Sequence, residues 1–339
     1  MMTPLKKAGL AAALLVGFAS QMSALSLNGA GSTFIYPLAS KWFYSYQQDK
    51  GVEINYQSIG SGAGIQQLQS QTVDFGATDA FMTEEQMSAV QGGVIHLPAT
   101  MGAVAVVYNV AGVDTGLKLD GSTLSKIFLG TISNWNDPAI AALNSGVSLP
   151  DLKITVVHRA DGSGTTSIFT DYLTKVSTAW ATTAGHSTAI KWPAGVGAKG
   201  NEAVAGVVRQ VNGAIGYVEF AYAIQTKMAY AKLKNKAGAY IDPSMDSVSK
   251  AAEGALRRMP EDFRVSFTNA SGEESYPICG FTWFLVPAKI ADHAKGQALV
   301  DFLNWSMDEG QKMAPSLNYA ALPDSLVEKV KAKIATIQF

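Results

Sequence analysis

The chain has 339 residues, 47% of them hydrophobic and 16% charged, with a formal net charge of −1. That is the composition of a soluble globular protein, and the length suggests two domains. No basic excess supports a nucleic-acid surface, and a single cysteine, Cys279, rules out an intrachain disulfide.

The N-terminus carries Lys6 and Lys7, then the apolar stretch AGLAAALLVGFA, then small residues in QMSALS. A positive start, an apolar core too short for a bilayer and small residues behind it are the marks of an export signal. Residues 1–24 are assigned to it, with cleavage expected after about Ala24 or Ser26. Cys279 lies far from that junction, so no lipid anchor is expected there. The stretch closest to a later membrane span, GVIHLPATMGAVAVVYNVAGV, is expected to break into strand-sized pieces at His96, Pro98 and Asn109.

In chain order, VEINYQSI (52–59), VDFGATDA (73–80), AVAVVYNV (103–110), KITVVHR (153–159), AIGYVEFAYA (214–223) and ICGFTWFLV (278–286) read as strands or strand ends. Helical periodicity lies between them. In IYPLASKWFYSYQQ the residues Ile35, Leu38, Trp42, Phe43 and Tyr46 share one face. In SIFTDYLTKV the stripe is Ile168, Phe169, Tyr172, Leu173 and Val176. Strands alternating with helices predict an α/β fold. No linker is visible, which predicts two interwoven lobes and not two domains in series.

Three turns share one design: GAGSTF (29–34), GSGAG (60–64) and DGSGT (161–165) each lead small or hydroxyl-bearing residues into a helix start. A helix N-terminus has unpaired N–H groups and the positive end of the dipole, so it favours an anion. Ser, Thr and Gly are also ordinary capping and turn residues, so each turn alone reads as a plain cap. Three together suggest one cradle, provided the helix starts face one cleft. Arg159, at the end of an apolar strand, could clamp an oxyanion with its planar fork, or simply pair with Asp161.

The pattern favours gripping over reacting. No lysine follows these turns as in a phosphate-transfer loop, and Ser61 and Ser163 lie outside a GxSxG frame. The four histidines, His96, His158, His186 and His293, are scattered without metal-ligand spacing. No catalytic residue, metal or cofactor is therefore expected. Asp79 has two readings on the residues alone: a routine turn or cap aspartate, or an acceptor at a donor-rich site. The second carries a specific consequence. Phosphate keeps at least one proton near neutrality and can donate to a carboxylate, whereas sulfate has none to offer.

Over nearly the whole mature chain the sequence resembles the periplasmic phosphate-binding proteins that feed the high-affinity phosphate ABC importer, the PstS family. The resemblance is carried by LNGAGSTFIYP, YQSIGSGAGI, VDFGATDA, LSKIFLGTISNWNDPAI, VVHRADGSGTTSIFTDYL, KGNEAVAGVVRQVNGAIGYVEFAYA and ALPDSLVEKV. It implies a type II periplasmic binding-protein fold, two interwoven α/β lobes joined by crossover strands and closing on phosphate. The expected division is 25–107 for the first part of lobe I, 108–277 for lobe II and 278–339 for the rest of lobe I. The resemblance implies phosphate contacts from Thr33, Phe34, Ser61, Asp79, Arg159, Ser163, Gly164 and Thr165, with Asp161 pairing Arg159. It further implies a periplasmic monomer that serves the permease and ATPase subunits of an ABC importer. Ser61-Gly62 and His158-Arg159 depart from the family's paired serines and paired arginines, which bears on the packing behind the site. The stretch SVSKAAEGALRRMPEDFRVSFTNASGEESYP matches poorly.

Rival expectations are a binder of sulfate or molybdate, a phosphatase using Ser61 or Ser163, and an adhesive role of the same scaffold. Arsenate also carries a proton and is not separated from phosphate by this reasoning.

Overall fold

The computed structural model describes residues 25–339, so the expected export signal at 1–24 lies outside the described residues. The strands are β1 (Ser26–Gly31), β2 (Glu53–Ser58), β3 (Phe75–Thr78), β4 (Val94–Asn109), β5 (Lys118–Leu119), β6 (Thr155–Arg159), β7 (Val196–Ala198), β8 (Ala214–Glu219), β9 (Ala229–Tyr230), β10 (Lys232–Lys234), β11 (Tyr240–Ile241) and β12 (Cys279–Pro287). Nine of them form one sheet in the order β2-β1-β3-β12-β4-β8-β6-β7, with β9 also on β4; β11-β10-β5 form a small second sheet.

The long strand β4 connects the two halves of the main sheet. Val94–Ala103 pair with β12, and Val104–Asn109 pair with β8. The expected break at His96 and Pro98 does not occur. Proline lacks an N–H and is tolerated in a strand where the ladder is interrupted. Here Trp283 pairs with Pro98 and Thr282 with Thr100, which leaves Ala99 without a partner and absorbs the proline in a β-bulge. None of the helices among the described residues is long and apolar enough to cross a membrane.

β1, β2 and β3 run parallel, as do β6, β7 and β8. β12 is antiparallel to both β3 and β4, and β4 is antiparallel to β8. The two parallel groups therefore run in opposite senses, and their carboxyl ends face each other. Ligands of open α/β sheets bind beyond the carboxyl ends of strands, which is where the three glycine turns emerge.

The helix Tyr36–Lys50 buries Leu38, Trp42, Phe43 and Tyr46, as its apolar stripe predicts, and ends at Gly51, whose φ of 72° is left-handed. Phe43 packs on Phe75 and Phe302 at ring-centroid distances of 6.2 and 5.5 Å. This aromatic layer, which also takes in Tyr56 of β2 at 5.6 Å, fixes the helix, and with it the first turn, on β2 and β3. The helix Gly164–Val176 buries Ile168, Phe169, Tyr172 and Leu173, and Phe169 stacks on Tyr217 of β8 at 4.3 Å. The poorly matching stretch forms the helix Met245–Leu256 and a loop. From that loop Arg264 pairs with Glu84 at 2.8 Å and donates to the Met82 carbonyl at 3.3 Å.

Candidate functional site

Each turn begins where a strand ends and runs into a helix: 32–35 after β1, 59–60 after β2 and 160–163 after β6. Only the third is capped by its own side chain. Ser163 Oγ accepts the Thr166 N–H at 3.0 Å, whereas the N-caps Ile35 and Gly60 make no side-chain cap bond. The plain-cap reading therefore fits Ser163 and leaves the hydroxyls of the first two turns to other partners.

Those partners lie on other segments, the third turn among them. Ser61 Oγ accepts the Asp79 N–H at 3.2 Å and the Gly164 N–H at 3.1 Å. Gly62 N–H donates to the Gly162 carbonyl at 2.9 Å. Ser32 Oγ donates to Asp79 Oδ1 at 2.6 Å, and Thr282 Oγ1 donates to the same oxygen at 2.7 Å. Asp79 Oδ1 is thus filled by two hydroxyls, and Oδ2 has only a 3.5 Å contact with Ser61. Asp79 caps no helix, since Thr83 does that for Glu84–Ser88.

The approach is close enough that a side chain on Gly164 has no room. A Cβ there would lie 2.5 Å from Asp79 Oδ2 and 2.6 Å from the Asp79 nitrogen. Gly164→Ala is therefore expected to push residues 161–165 away from Asp79 and to weaken anion binding about tenfold to hundredfold, the scale of core overpacking. Calorimetric titration checks this; an alanine variant within about threefold of the parent would mean the turns can shift freely.

Arg159 is 3% exposed. Nε and Nη2 both donate to the Asp161 carboxylate, Nε at 2.8 Å, and Nη1 donates to Thr165 Oγ1 at 3.4 Å. Guanidinium carries five N–H donors, so these three bonds leave two. Asp161 is held in turn by the Gly200 N–H at 3.1 Å. Burial pushes the Asp161 carboxyl up, but its hydrogen bond and charge pairing with Arg159 outweigh this and leave it below the usual range.

Asp79, 4% exposed, behaves oppositely. Burial drives its carboxyl up to about 6, against the lowering effect of Ser32, Thr282, Arg159 and Ser61. With Asp79 ionised, the side-chain charges of Asp79, Arg159 and Asp161 sum to −1. An anion here must be held by N–H and O–H dipoles and helix termini, not by excess positive charge.

Of the residues expected at the site, Ser61, Asp79 and Gly164 form one hydrogen-bonded group, and Thr33, Arg159, Asp161 and Thr165 form a second through the amide of Asn201; Gly164 and Thr165, adjacent in the chain, bring the two groups together. Phe34 contributes its N–H, bonded to Ser32 Oγ at 3.0 Å. Ser163 stands slightly apart, with its N–H on the Thr188 carbonyl at 2.8 Å. His158 stacks on Trp192 at 4.6 Å, away from Ser163. The sequence reading missed Ser32, Asn201 and Thr282. It also missed Tyr222 and Tyr319, whose hydroxyls donate to the Thr33 and Phe34 carbonyls, both at 2.6 Å. Asn201 carried a signal, since KGN before a helix repeats the turn design; Thr282, inside an apolar strand, carried none.

A model of the PBP superfamily domain matches residues 18–309. The phosphate-binding protein PstS of Xylella fastidiosa (strain 9a5c) is 45% identical over 315 residues, 93% of this chain and 86% of its own. The phosphate-binding protein PstS of Pasteurella multocida is 43% identical over 332 residues, 98% of this chain and 96% of its own. Among solved structures, a high affinity periplasmic phosphate-binding protein (PfluDING) bound with phosphate superposes with a TM-score of 0.73 at 21% identity, covering 91% of this chain and 93% of that one. A phosphate-binding protein from Stenotrophomonas maltophilia gives 0.69 at 19% identity, with coverage of 91% and 93%. These last two likenesses show the shared two-lobed α/β binding-protein fold.

Proposed function

The chain belongs to the PstS family of phosphate-binding proteins, within the PBP superfamily, and from that premise we propose that the buried cluster around Asp79 and Arg159 is its phosphate site. The protein captures inorganic phosphate as the substrate-binding protein of a phosphate ABC transporter. In this reading Thr33, Ser61, Ser163 and Thr165 supply hydroxyl or backbone donors, and Arg159 supplies its two remaining N–H groups. The N–H groups of Phe34 and Gly164 are exchanged from Ser32 and Ser61 to the anion. Asp161 holds Arg159 in place, and Asp79 Oδ2 accepts the ligand's proton.

The observation that carries the reading is Asp79. A buried carboxylate in a nest of donors, with one oxygen filled by Ser32 and Thr282, repels a bare anion but accepts from a protonated one. Sulfate would meet it with like charge and an unpaired acceptor; sites that leave such groups unpaired reject the wrong ligand by about 10⁴–10⁵. Phosphate has five heavy atoms, so the rule of about −1.5 kcal/mol per atom caps binding near micromolar. Charge-assisted bonds, about twice as strong as neutral ones, are the means of exceeding that cap.

The lobes are read as 25–107 with 278–339, and 108–277. The change of partner along β4 near residue 103 supports a first crossing close to that boundary. Closure of these lobes in the periplasm, as a monomer, would present the loaded form to the permease and ATPase subunits. In this reading phosphate is gripped and not transformed, in keeping with the phosphate-binding proteins this chain is similar to.

The test is titration of the purified protein with phosphate, arsenate and sulfate, following its tryptophan fluorescence. Saturable phosphate binding is expected, with no response to sulfate at about a thousandfold excess, which lies below the rejection of about 10⁴–10⁵ given above. Equal binding of sulfate would remove the proton-accepting role of Asp79. Turnover of a phosphate monoester, with or without divalent metal, would replace binding by catalysis.

A further inference from the structure

Asn201, at the start of the helix Gly200–Gln210, is fully buried. Its Oδ1 accepts the Glu219 N–H at 3.0 Å. That bond fixes the direction of the amide, because the reverse orientation would set an NH₂ group against an N–H. Its Nδ2 donates to Thr33 Oγ1 at 2.8 Å and to Thr165 Oγ1 at 3.2 Å. One amide therefore touches a hydroxyl of the first turn and a hydroxyl of the third.

A hydroxyl has two lone pairs and one hydrogen. Thr33 Oγ1 also accepts the Asn201 backbone N–H at 3.2 Å, and Thr165 Oγ1 also accepts from Arg159 Nη1 at 3.4 Å. Both oxygens are thus full as acceptors. Among the described residues neither hydroxyl donates to a protein acceptor. Their hydrogens have one use left, which is to point at a ligand.

We propose that Asn201 is a positioning residue that makes Thr33 and Thr165 obligate donors to the bound anion; this rests on the phosphate site described above. Hydroxyls free to rotate could equally offer lone pairs, and would have to be ordered at each binding event. Asn201 removes that freedom in advance, on both sides of the cleft, without touching the ligand. Glu219, through its N–H, keeps Asn201 from turning over.

The test is a double-mutant cycle on the full chain, with inorganic phosphate as ligand. Asn201→Ala is expected to lower affinity about tenfold to hundredfold, the scale of one or two charge-assisted hydrogen bonds. In the Thr33→Val/Thr165→Val background the same change is expected to cost less than about threefold, because the hydroxyls it orients are gone. An equal cost in both backgrounds would make Asn201 merely structural and overturn the inference. Asn201→Asp covers the case in which the alanine variant does not fold. It keeps the shape and the bond to Glu219 but presents an acceptor to both hydroxyls, so a loss of more than about hundredfold is expected with the fold intact; binding within about threefold of the parent would defeat the proposal. Failure of the parent protein to bind phosphate would defeat the site assignment together with this inference. Parental binding with an additive cycle would defeat the inference alone.

Discussion

Arg159→Ala is expected to lower phosphate affinity about a hundredfold to a thousandfold or more, corresponding to about 3–5 kcal/mol. Two effects add. The ligand loses the two guanidinium N–H groups left over after Arg159 has bonded Asp161 and Thr165, each charge-assisted. Asp161 also loses the partner that keeps its carboxyl ionised against burial, and a half-buried negative charge is left facing an incoming anion. The double variant Arg159→Ala/Asp161→Ala should therefore recover part of the loss. Calorimetry of both variants decides the matter: no recovery would mean that the ligand contacts account for the whole effect, and binding close to the parent would remove Arg159 from the site. Lysine is not expected to substitute, since it cannot hold Asp161 bidentately and still reach the ligand.

Asp79→Asn is expected to collapse the preference for phosphate over sulfate, by about a thousandfold or more. The hydroxyls of Ser32 and Thr282 already donate to Oδ1, so in the variant they would select the amide oxygen for that position. The atom facing the ligand then becomes an NH₂ donor, which sulfate accepts as readily as phosphate. The parent protein should show a weaker form of the same change as pH falls through about 6, where Asp79 takes up a proton.

Stability follows from the same shift. The folded protein holds the Asp79 proton more tightly than the unfolded chain does, so stability from this group is full below about pH 4 and is lost as pH rises through about 6. Asp79→Asn should stabilise the ligand-free protein by up to about 3 kcal/mol at pH 8 and by little at pH 4. Denaturant unfolding at the two pH values measures this. An equal effect at both would show that the cost of burying the charge had been relieved elsewhere.

The fold was largely legible because its main strands and helices carry clean periods. The stripe Leu38, Trp42, Phe43 and Tyr46 lies buried as its spacing predicted. β1 was missed because SLNGAG has little apolar content beyond Leu27 and Ala30, and its strand character comes from parallel pairing on both sides. Pro98 misled for the converse reason, since the bulge that accommodates it depends on register with β12, which no local pattern encodes. At the site, the glycine turns and Arg159 stood out by composition. Asp79 stayed open on the residues alone and was assigned only through the family resemblance, because burial and the hydroxyls of distant Ser32 and Thr282 set its behaviour. Tyr222 and Tyr319 reach the first turn across 189 and 285 residues of sequence, a distance at which sequence spacing carries no information.

The direct bonds between the second and third turns also set a clock. The Gly62 amide is bonded to the Gly162 carbonyl, and the Gly164 amide to Ser61 Oγ, so neither hydrogen can trade with solvent deuterium until the two turns part. Their exchange rates would therefore count cleft openings one by one, separately from any unfolding of the helices behind them. Slowing of both amides by phosphate would give the lifetime of the loaded state without a label on the ligand.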